Sequence, residues 1–446
     1  MLNNLVRPTI EEMIAQRRWT DLRESLEDWA APELADLLMD VEKTDRVLLF
    51  RALPRPLSTE VFSYLEFQQQ DELLLELTDG ETRSLLANLA PDDRTDLLGE
   101  LPSQVVQRLL NLLSPADLRE ARRLLGYPEE SVGRLMTPDY VAVRSEWTIQ
   151  QALDHIRMHG RRSETINRIY VTDSAGRLID DVDLQSFILS DPRETVDSIM
   201  DNAFVSVSVF DDREDAVRAI RRYDLVALPV VDSDGVLVGI VTVDDLLDVA
   251  EEEATEDFHR VGSVEPLRMG YWEATMWTLY RTRIGWLAGL VLVNLVSGGV
   301  LHMYEETLQS VIALAFFMPL IIATGGNAGT QSATIIIRAI STGDVDLGEW
   351  RRAVLRELGI GLFLGLTLGV LGMGLGMFRG GWELGLVVFL TLVSMLLVTN
   401  LLGMSLPFIF ARFGIDPAVA SGPLVTSVAD IIGLLIYFSI ATWLLM

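Results

Sequence analysis

A chain of 446 residues, 49% hydrophobic and with a formal net charge of −28, is too long for one core and mixes two solvent regimes. Residues 270–446 hold ten acidic and eight basic side chains, which leaves a net −26 on the residues before them; so negative a field argues against nucleic acid and for cations. No cysteine is present and the four histidines are scattered, which excludes disulfides and thiolate metal sites, and no nucleophile–base constellation suggests an enzyme.

The opening stretch, MLNNLVRPTIEEMIAQRRW, lacks the apolar core of a secretion signal, so the first part of the chain is expected in the cytoplasm. From Leu53 a leucine recurs every twelve residues, at Leu65, Leu77, Leu89, Leu101, Leu113 and Leu125. A second apolar pair follows in most units: Leu73/Leu74, Leu85/Leu86, Leu97/Leu98 and Leu109/Leu110. Turn and capping residues after the marker leucine (Thr78-Asp79-Gly80, Pro91-Asp92-Asp93, Ser114-Pro115) make each unit one short helix and a turn. Helices this short bury a face only by stacking, which predicts a superhelix over residues 1–135.

From Met136 the periodicity changes to strands and helices, and one pattern occurs twice. Met136-TPDYVAV is echoed by Met200-DNAFVSV, and Asp173-SAGRL by Asp232-SDGVL. The second copy predicts a strand over Phe204–Val209, a helix over Glu214–Tyr223, and strands over Val226–Val231 and Leu237–Val241. Two such copies, 136–199 and 200–248, resemble a tandem of CBS modules. That family's ribose signature, Thr-x-x-Asp, stands in the second copy as Thr242 and Asp245, which makes them the candidate ATP-binding pair. The first copy has Asp180-Asp181-Val182-Asp183 and Ser186 there instead, and so lacks the signature.

An acidic connecting helix follows over 249–269, and then a membrane domain over 270–446. Apolar runs predict five spans near Ile284–Met303, Val311–Ala339, Leu358–Phe378, Leu384–Phe410 and Ala418–Met446, led by an interfacial Trp272, Trp277 and Tyr280. Seven arginines (Arg281, Arg283, Arg338, Arg351, Arg352, Arg356, Arg412) flank one side of the spans and only Arg379 the other, which puts the amino terminus inside and the carboxyl terminus outside. Gly361, Gly365 and Gly369 read as a close-packing seam.

Two spans carry more than packing needs. The second contains Ala323-TGGNAGTQSAT, with Asn327, Thr330 and Gln331 roughly at membrane mid-depth, since Asn327 lies about 16 Å from Arg338 at the helical rise. In the last, Asp430 stands about 18 Å from Ala418, again near the midplane, with Thr426 one turn before it on the same face. Pro423, with Ser421 and Thr426 nearby, suggests a broken helix lining a cavity. A carboxylate at that depth marks an ion path by default, and an oxygen-only lining suits a hard cation.

These residues together carry a family pattern: helical repeats, two CBS-like copies, EEEATED, PLIIATGGNAGTQSAT and DPAVASGPLVTSVAD. The chain resembles, nearly end to end, the MgtE family of magnesium channels. The resemblance implies a homodimer in the plasma (inner) membrane, with Asp430 of both subunits holding a hydrated Mg²⁺ on the two-fold axis, helped by the Thr426 backbone carbonyl. It further implies closure of the pore at high cytosolic Mg²⁺, through ligands at Asp212, Glu214, Asp224, Asp245, Asp248, Glu253, Glu256, Asp257 and Asp416, with Asp92 and Asp96 from the superhelix. The alternative reading is a coupled secondary transporter for Mg²⁺, Mn²⁺ or Co²⁺, because broken helices and a midplane carboxylate also serve carriers. The expected architecture is an all-α superhelix, α/β tandem CBS modules and a five-span α-helical bundle.

Overall fold

The twelve-residue leucine has a defined place in the backbone. Leu53, Leu77, Leu89 and Leu101 are each the first residue past a helix, in extended conformation. All four are buried. The chain therefore turns on an apolar pivot, while Leu85/Leu86 and Leu97/Leu98 of the intervening helices Asp79–Asn88 and Pro91–Glu100 join the same core. Helix starts follow from local chemistry. Thr78 and Glu81 exchange side-chain and backbone hydrogen bonds in a capping box, Ser114 accepts from the Asp117 amide, and Pro91 and Pro115 occupy first-turn positions where no donor is needed.

The computed structural model describes residues 2–267, 269–272 and 274–446, which form two compact units dividing between Glu251 and Glu252. In the first unit each CBS-like copy is a three-stranded sheet. Strands β1 (Ala142–Arg144), β2 (Arg168–Thr172) and β3 (Leu178–Asp183) pair β1–β2 parallel and β2–β3 antiparallel. Strands β4 (Val207–Ser208), β5 (Ala227–Val231) and β6 (Leu237–Thr242) repeat that order. Strand β4 is shorter than the predicted Phe204–Val209, because only Val207 and Ser208 find ladder partners on β5. The repeated Asp-x-x-Gly sequences are Asx turns: Asp173 Oδ1 accepts from the amides of Ala175 and Arg177, and Asp232 Oδ1 from those of Asp234 and Val236. Gly176 and Gly235, at φ 83° and 77°, close them. The two turns then bind each other reciprocally, Leu178 N to Gly235 O at 3.1 Å and Leu237 N to Gly176 O at 3.0 Å.

The second unit is a helical bundle. Its long helices are Met276–Met303, Ala313–Ser341, the run Trp350–Arg412, and Gly422–Leu445. All are apolar and long enough to cross a membrane. The 63-residue run is broken at Gly380 and Gly381, the latter at φ 86° and ψ −174°, a conformation open essentially to glycine. Its two limbs fold back on each other: a Cβ at Gly365 would lie 2.9 Å from Val393 Cα, and one at Gly376 only 2.7 Å from Gly385 Cα. The bundle therefore has five spans, and the glycine seam lets the third and fourth approach backbone to backbone. Phe317, Met395, Tyr437 and Phe438 fill its core, and the Tyr437 hydroxyl donates to Leu314 O at 3.0 Å.

Candidate functional site

The second and last spans hold the residues singled out by depth. Both are continuous helices. Pro423 does not break the last span but lies in its first turn, where the missing donor costs nothing; the expected interruption is absent because the helix begins at Gly422. Before it, Asp416 caps the short turn Pro417–Val419 by accepting from the Ala418 amide at 2.7 Å. Likewise the glycines of TGGNAGTQ are helical and serve close approach. A Cβ at Gly326 would lie 2.8 Å from Thr426 Cγ2, and one at Gly329 2.9 Å from Val425 Cγ1.

Thr330 Oγ1 lies 3.0 Å from Thr426 Oγ1 and donates to Gly422 O at 3.3 Å. With Gly326 against Thr426 and Thr330 against Gly422, the two spans run antiparallel. That register puts Asn327 about one helical turn from the level of Asp430 rather than beside it. Asn327 and Gln331, four residues apart on one face, are both exposed in the protomer. Asp430 is partly buried, and its Oδ1, itself buried, finds no hydrogen-bond partner among the described residues. Uncovered amides and an unsatisfied carboxylate oxygen in a bilayer call for water, an ion or another subunit.

The predicted sensor carboxylates fall into separate settings. In the first unit, burial first and the neighbouring carboxylates Asp245, Asp93 and Glu164 next push Asp92 well above the usual carboxylate range. Burial, Glu164, Asp96 and Asp244 raise Asp93 to about 6. Asp245 is raised to about 7, mainly by burial, although Thr242 Oγ1 donates to its Oδ2 at 2.7 Å. These acids share one electrostatic field, and Asp92 Oδ1 is buried without a partner. Asp96 lies on the same helix, exposed. Asp248 is raised by burial and by Glu251 and Asp244. Asp212, by contrast, is a helix cap accepting from the Glu214 amide at 2.9 Å, Glu214 pairs with Arg218, and Asp224 is the left-handed residue ending that helix at φ 51°. In the first copy Asp180 is fully buried and accepts from the amides of Asp201 and Asn202, so the residues that replace the ribose signature tie down backbone.

The connecting helix runs over Val243–Val261. Near its end the Arg260 guanidinium binds both Glu256 and Asp416. Asp257 is raised chiefly by burial, against a hydrogen bond with Ser341 and the charges of Arg260 and Arg338. Glu253 is partly buried on the same helix. The Ser263 hydroxyl donates to Ser421 at 2.6 Å, fastening the residues after the helix to the start of the last span. Among the described residues no three His, Asp or Glu side chains are placed to hold a metal ion within one protomer.

Sequence reasoning missed Glu357. It stands one residue before the predicted third span, beside Arg356, and reads as an interfacial charge. In the bundle it is buried, with Oε2 accepting from Ser332 Oγ at 3.1 Å and Asn400 Nδ2 at 3.3 Å. A signal was present: Glu357 continues the four-residue spacing of Gly361, Gly365 and Gly369, and a residue on a packing seam is buried whatever its charge.

Three sequence profiles match the chain: a divalent cation transporter profile, MgtE, over residues 318–440, the MgtE intracellular N domain over 30–130, and the CBS domain over 132–188 and 196–252. The magnesium transporter MgtE of Thermus thermophilus is 42% identical over 440 residues, covering 98% of each chain. That of Bacillus subtilis is 32% identical over 430 residues, covering 94% of this chain and 95% of its own. Among solved structures, the cytosolic domain of the Mg²⁺ channel MgtE in complex with ATP superposes with a TM-score of 0.52 at 38% identity, over 55% of this chain and 99% of that one. The soluble part of a magnesium transporter gives 0.53 at 29% identity, over 56% and 99%. With its full length matched and its membrane motifs in the expected helices, the chain belongs to the MgtE family.

Proposed function

We propose that this protein carries Mg²⁺ across a membrane through a path lined by Asp430, Thr426 and the polar face of the second span, and that cytosolic Mg²⁺ closes it. The observation that carries the path is Asp430, a carboxylate in the last span whose buried Oδ1 has no hydrogen-bond partner among the described residues. Mg²⁺ sheds water reluctantly and is held through its hydration shell by few carboxylates, so a single Asp per chain beside hydroxyl and carbonyl oxygens suits it. An oxygen lining discriminates weakly among octahedral divalents, so Mn²⁺ and Co²⁺ compete.

Exposure supports a homodimer. Asn327 and Gln331 stand uncovered, and Val300 is the only buried residue of the first span. A second copy on this face covers the amides and brings two Asp430 side chains to one axis. The arginine asymmetry of the connections supports a cytoplasmic amino terminus, and we assign the protein to the plasma membrane as part of the same reading.

The gate rests on acidic repulsion. Asp92, Asp93 and Asp245 are held as weak acids by burial and by each other, and Mg²⁺ ions bridging such faces offset that repulsion. Glu253, Glu256, Asp257 and Asp416 supply the ligands nearest the last span. Thr242 and Asp245 remain the candidate nucleotide pair. Coupled transport draws support from discontinuous helices, and the second and last spans are continuous.

The test is Mg²⁺ uptake into proteoliposomes by the wild type and Asp430→Asn, which keeps size and hydrogen bonding but loses the charge. Uptake should be abolished or lose its divalent preference. Wild-type uptake by a correctly inserted variant would sink the assignment.

A further inference from the structure

The buried trio Ser332, Glu357 and Asn400 lies outside the proposed ion path, yet it grips the helix that carries half of that path. Ser332 follows Thr330 by two residues, about 200° around a helix, so the two hydroxyls face opposite sides of the second span. On one side Thr330 meets Thr426 and Gly422 O of the last span. On the other, Ser332 Oγ lies 3.1 Å from both Glu357 Oε2 and Asn400 O, and Asn400 Nδ2 donates to the same Oε2 at 3.3 Å. All three residues are at least 94% buried. Between the two sides, Gly329 and Gly403 bring the second and fourth spans into backbone contact.

Filling this place needs no carboxylate. Apolar contacts and glycine crossings fix how close two helices come but hold their rotation weakly, whereas hydrogen bonds to a charged acceptor are directional and strong. The second span is hydrogen-bonded on each face, to a neutral carbonyl and hydroxyl on one and to a carboxyl on the other, where Glu357 is the shared acceptor that ties it to both limbs of the third-and-fourth-span hairpin. We infer that Glu357 is a positioning residue that sets the rotation of the second span, and thereby aims Thr330 at the last span. The consequence for flux rests on the ion path proposed above; the rotation itself does not, and it is tested without ions.

The chain has no cysteine, so Thr330→Cys and Thr426→Cys, whose hydroxyls are 3.0 Å apart, place a single disulfide pair across the two spans of the full-length protein in membranes. Oxidation should join them efficiently. Adding Glu357→Ala should lower the cross-linking rate about tenfold, the size of effect expected when a buried hydrogen-bond partner is lost. Glu357→Gln, which keeps an acceptor for Ser332 and Asn400, should restore most of it. Ser332→Ala removes only one hydroxyl and should lower the rate in the same direction, so the test survives if Glu357→Ala does not accumulate. Cross-linking at the parent rate in both Glu357→Ala and Ser332→Ala overturns the inference. On the otherwise native chain, Glu357→Ala should reduce Mg²⁺ uptake; a lost cross-link with undiminished uptake supports the rotational role and overturns the ion-path reading.

Discussion

The crossing of the second and fourth spans sets a severe steric test at Gly403. A Cβ there would lie 2.1 Å from Gly329 O, 2.9 Å from Gly329 C and 3.2 Å from Ala333 N, all of them backbone atoms. Ordinary contact begins near 3.4 Å, so Gly403→Ala must move one helix away from the other by about 1.3 Å. No side chain can yield instead. Overpacking costs about 1–3 kcal/mol where side chains and backbone share the shift, and the upper end applies here because the whole displacement falls on two helix backbones. The displaced segment, Gly329 and its neighbours, is the one that seats Thr330 against the last span. Gly403→Ala should therefore lower the melting temperature of the purified protein by several degrees and depress Mg²⁺ uptake together. Gly374→Ala, whose Cβ meets nothing within 4 Å, is the matched control and should match the wild type in both. Wild-type melting and uptake by Gly403→Ala would refute the reading of this crossing as a fixed backbone contact.

In the superhelix, Arg94 is buried and donates to Leu86 O at 3.1 Å and to Glu120 at 2.5 Å; Arg94→Ala strands both partners and should cost about 3 kcal/mol, read from denaturant unfolding, with a loss under 1 kcal/mol counting against the pair. Asp93 and Asp245 have folded values of about 6 and about 7, above the ordinary carboxylate value. The folded state thus binds more protons than the unfolded one between about pH 4 and 7, so the stability these groups contribute is lost as pH rises through that window. Hydrogen exchange across Pro91–Glu100, corrected for intrinsic rates, should become faster from pH 5 to pH 8 without Mg²⁺ and less so with it, and a flat profile would contradict the shared field. Arg260→Gln releases Glu256 and Asp416 from their common guanidinium, so less Mg²⁺ should be needed to protect residues 248–262 from protease. KCl at equal ionic strength should not substitute, because screening forms no bridge; equal protection by the two salts would refute bridging.

The sequence exposed periodicity well and orientation poorly. The leucine repeat, the doubled strand pattern and the apolar runs all report which face of an element is buried, and the helices and strands follow them. The corner at Gly380 and Gly381 lay between two predicted spans and behaves as expected, although helical hydrogen bonding runs almost through it. Pro423 misled because the same missing donor breaks a helix in its interior and suits its first turn; only the position of the helix start decides, and that depends on the tertiary seat of Ser421 against Ser263. Depth alone put Asn327 level with Asp430, but helix register along the last span separates them by a turn. Glu357 was hidden for a related reason. Its burial comes from a crossing of three spans, whereas in the sequence it stands directly after Arg356 at the edge of an apolar run.

One consequence of the leucine pivots concerns how such a stack of helices can grow or shrink. Each pivot ends one helix and launches the next, so its burial depends on arriving in phase with the pivots above and below. An insertion of twelve residues adds a whole rung and leaves every later pivot facing inward. An insertion that is not a multiple of twelve turns the following leucines outward and exposes a stripe of apolar surface down the remaining chain. The length of this segment is therefore quantised, and so is the distance over which it can hold Asp92 and Asp96 out from the start of the chain.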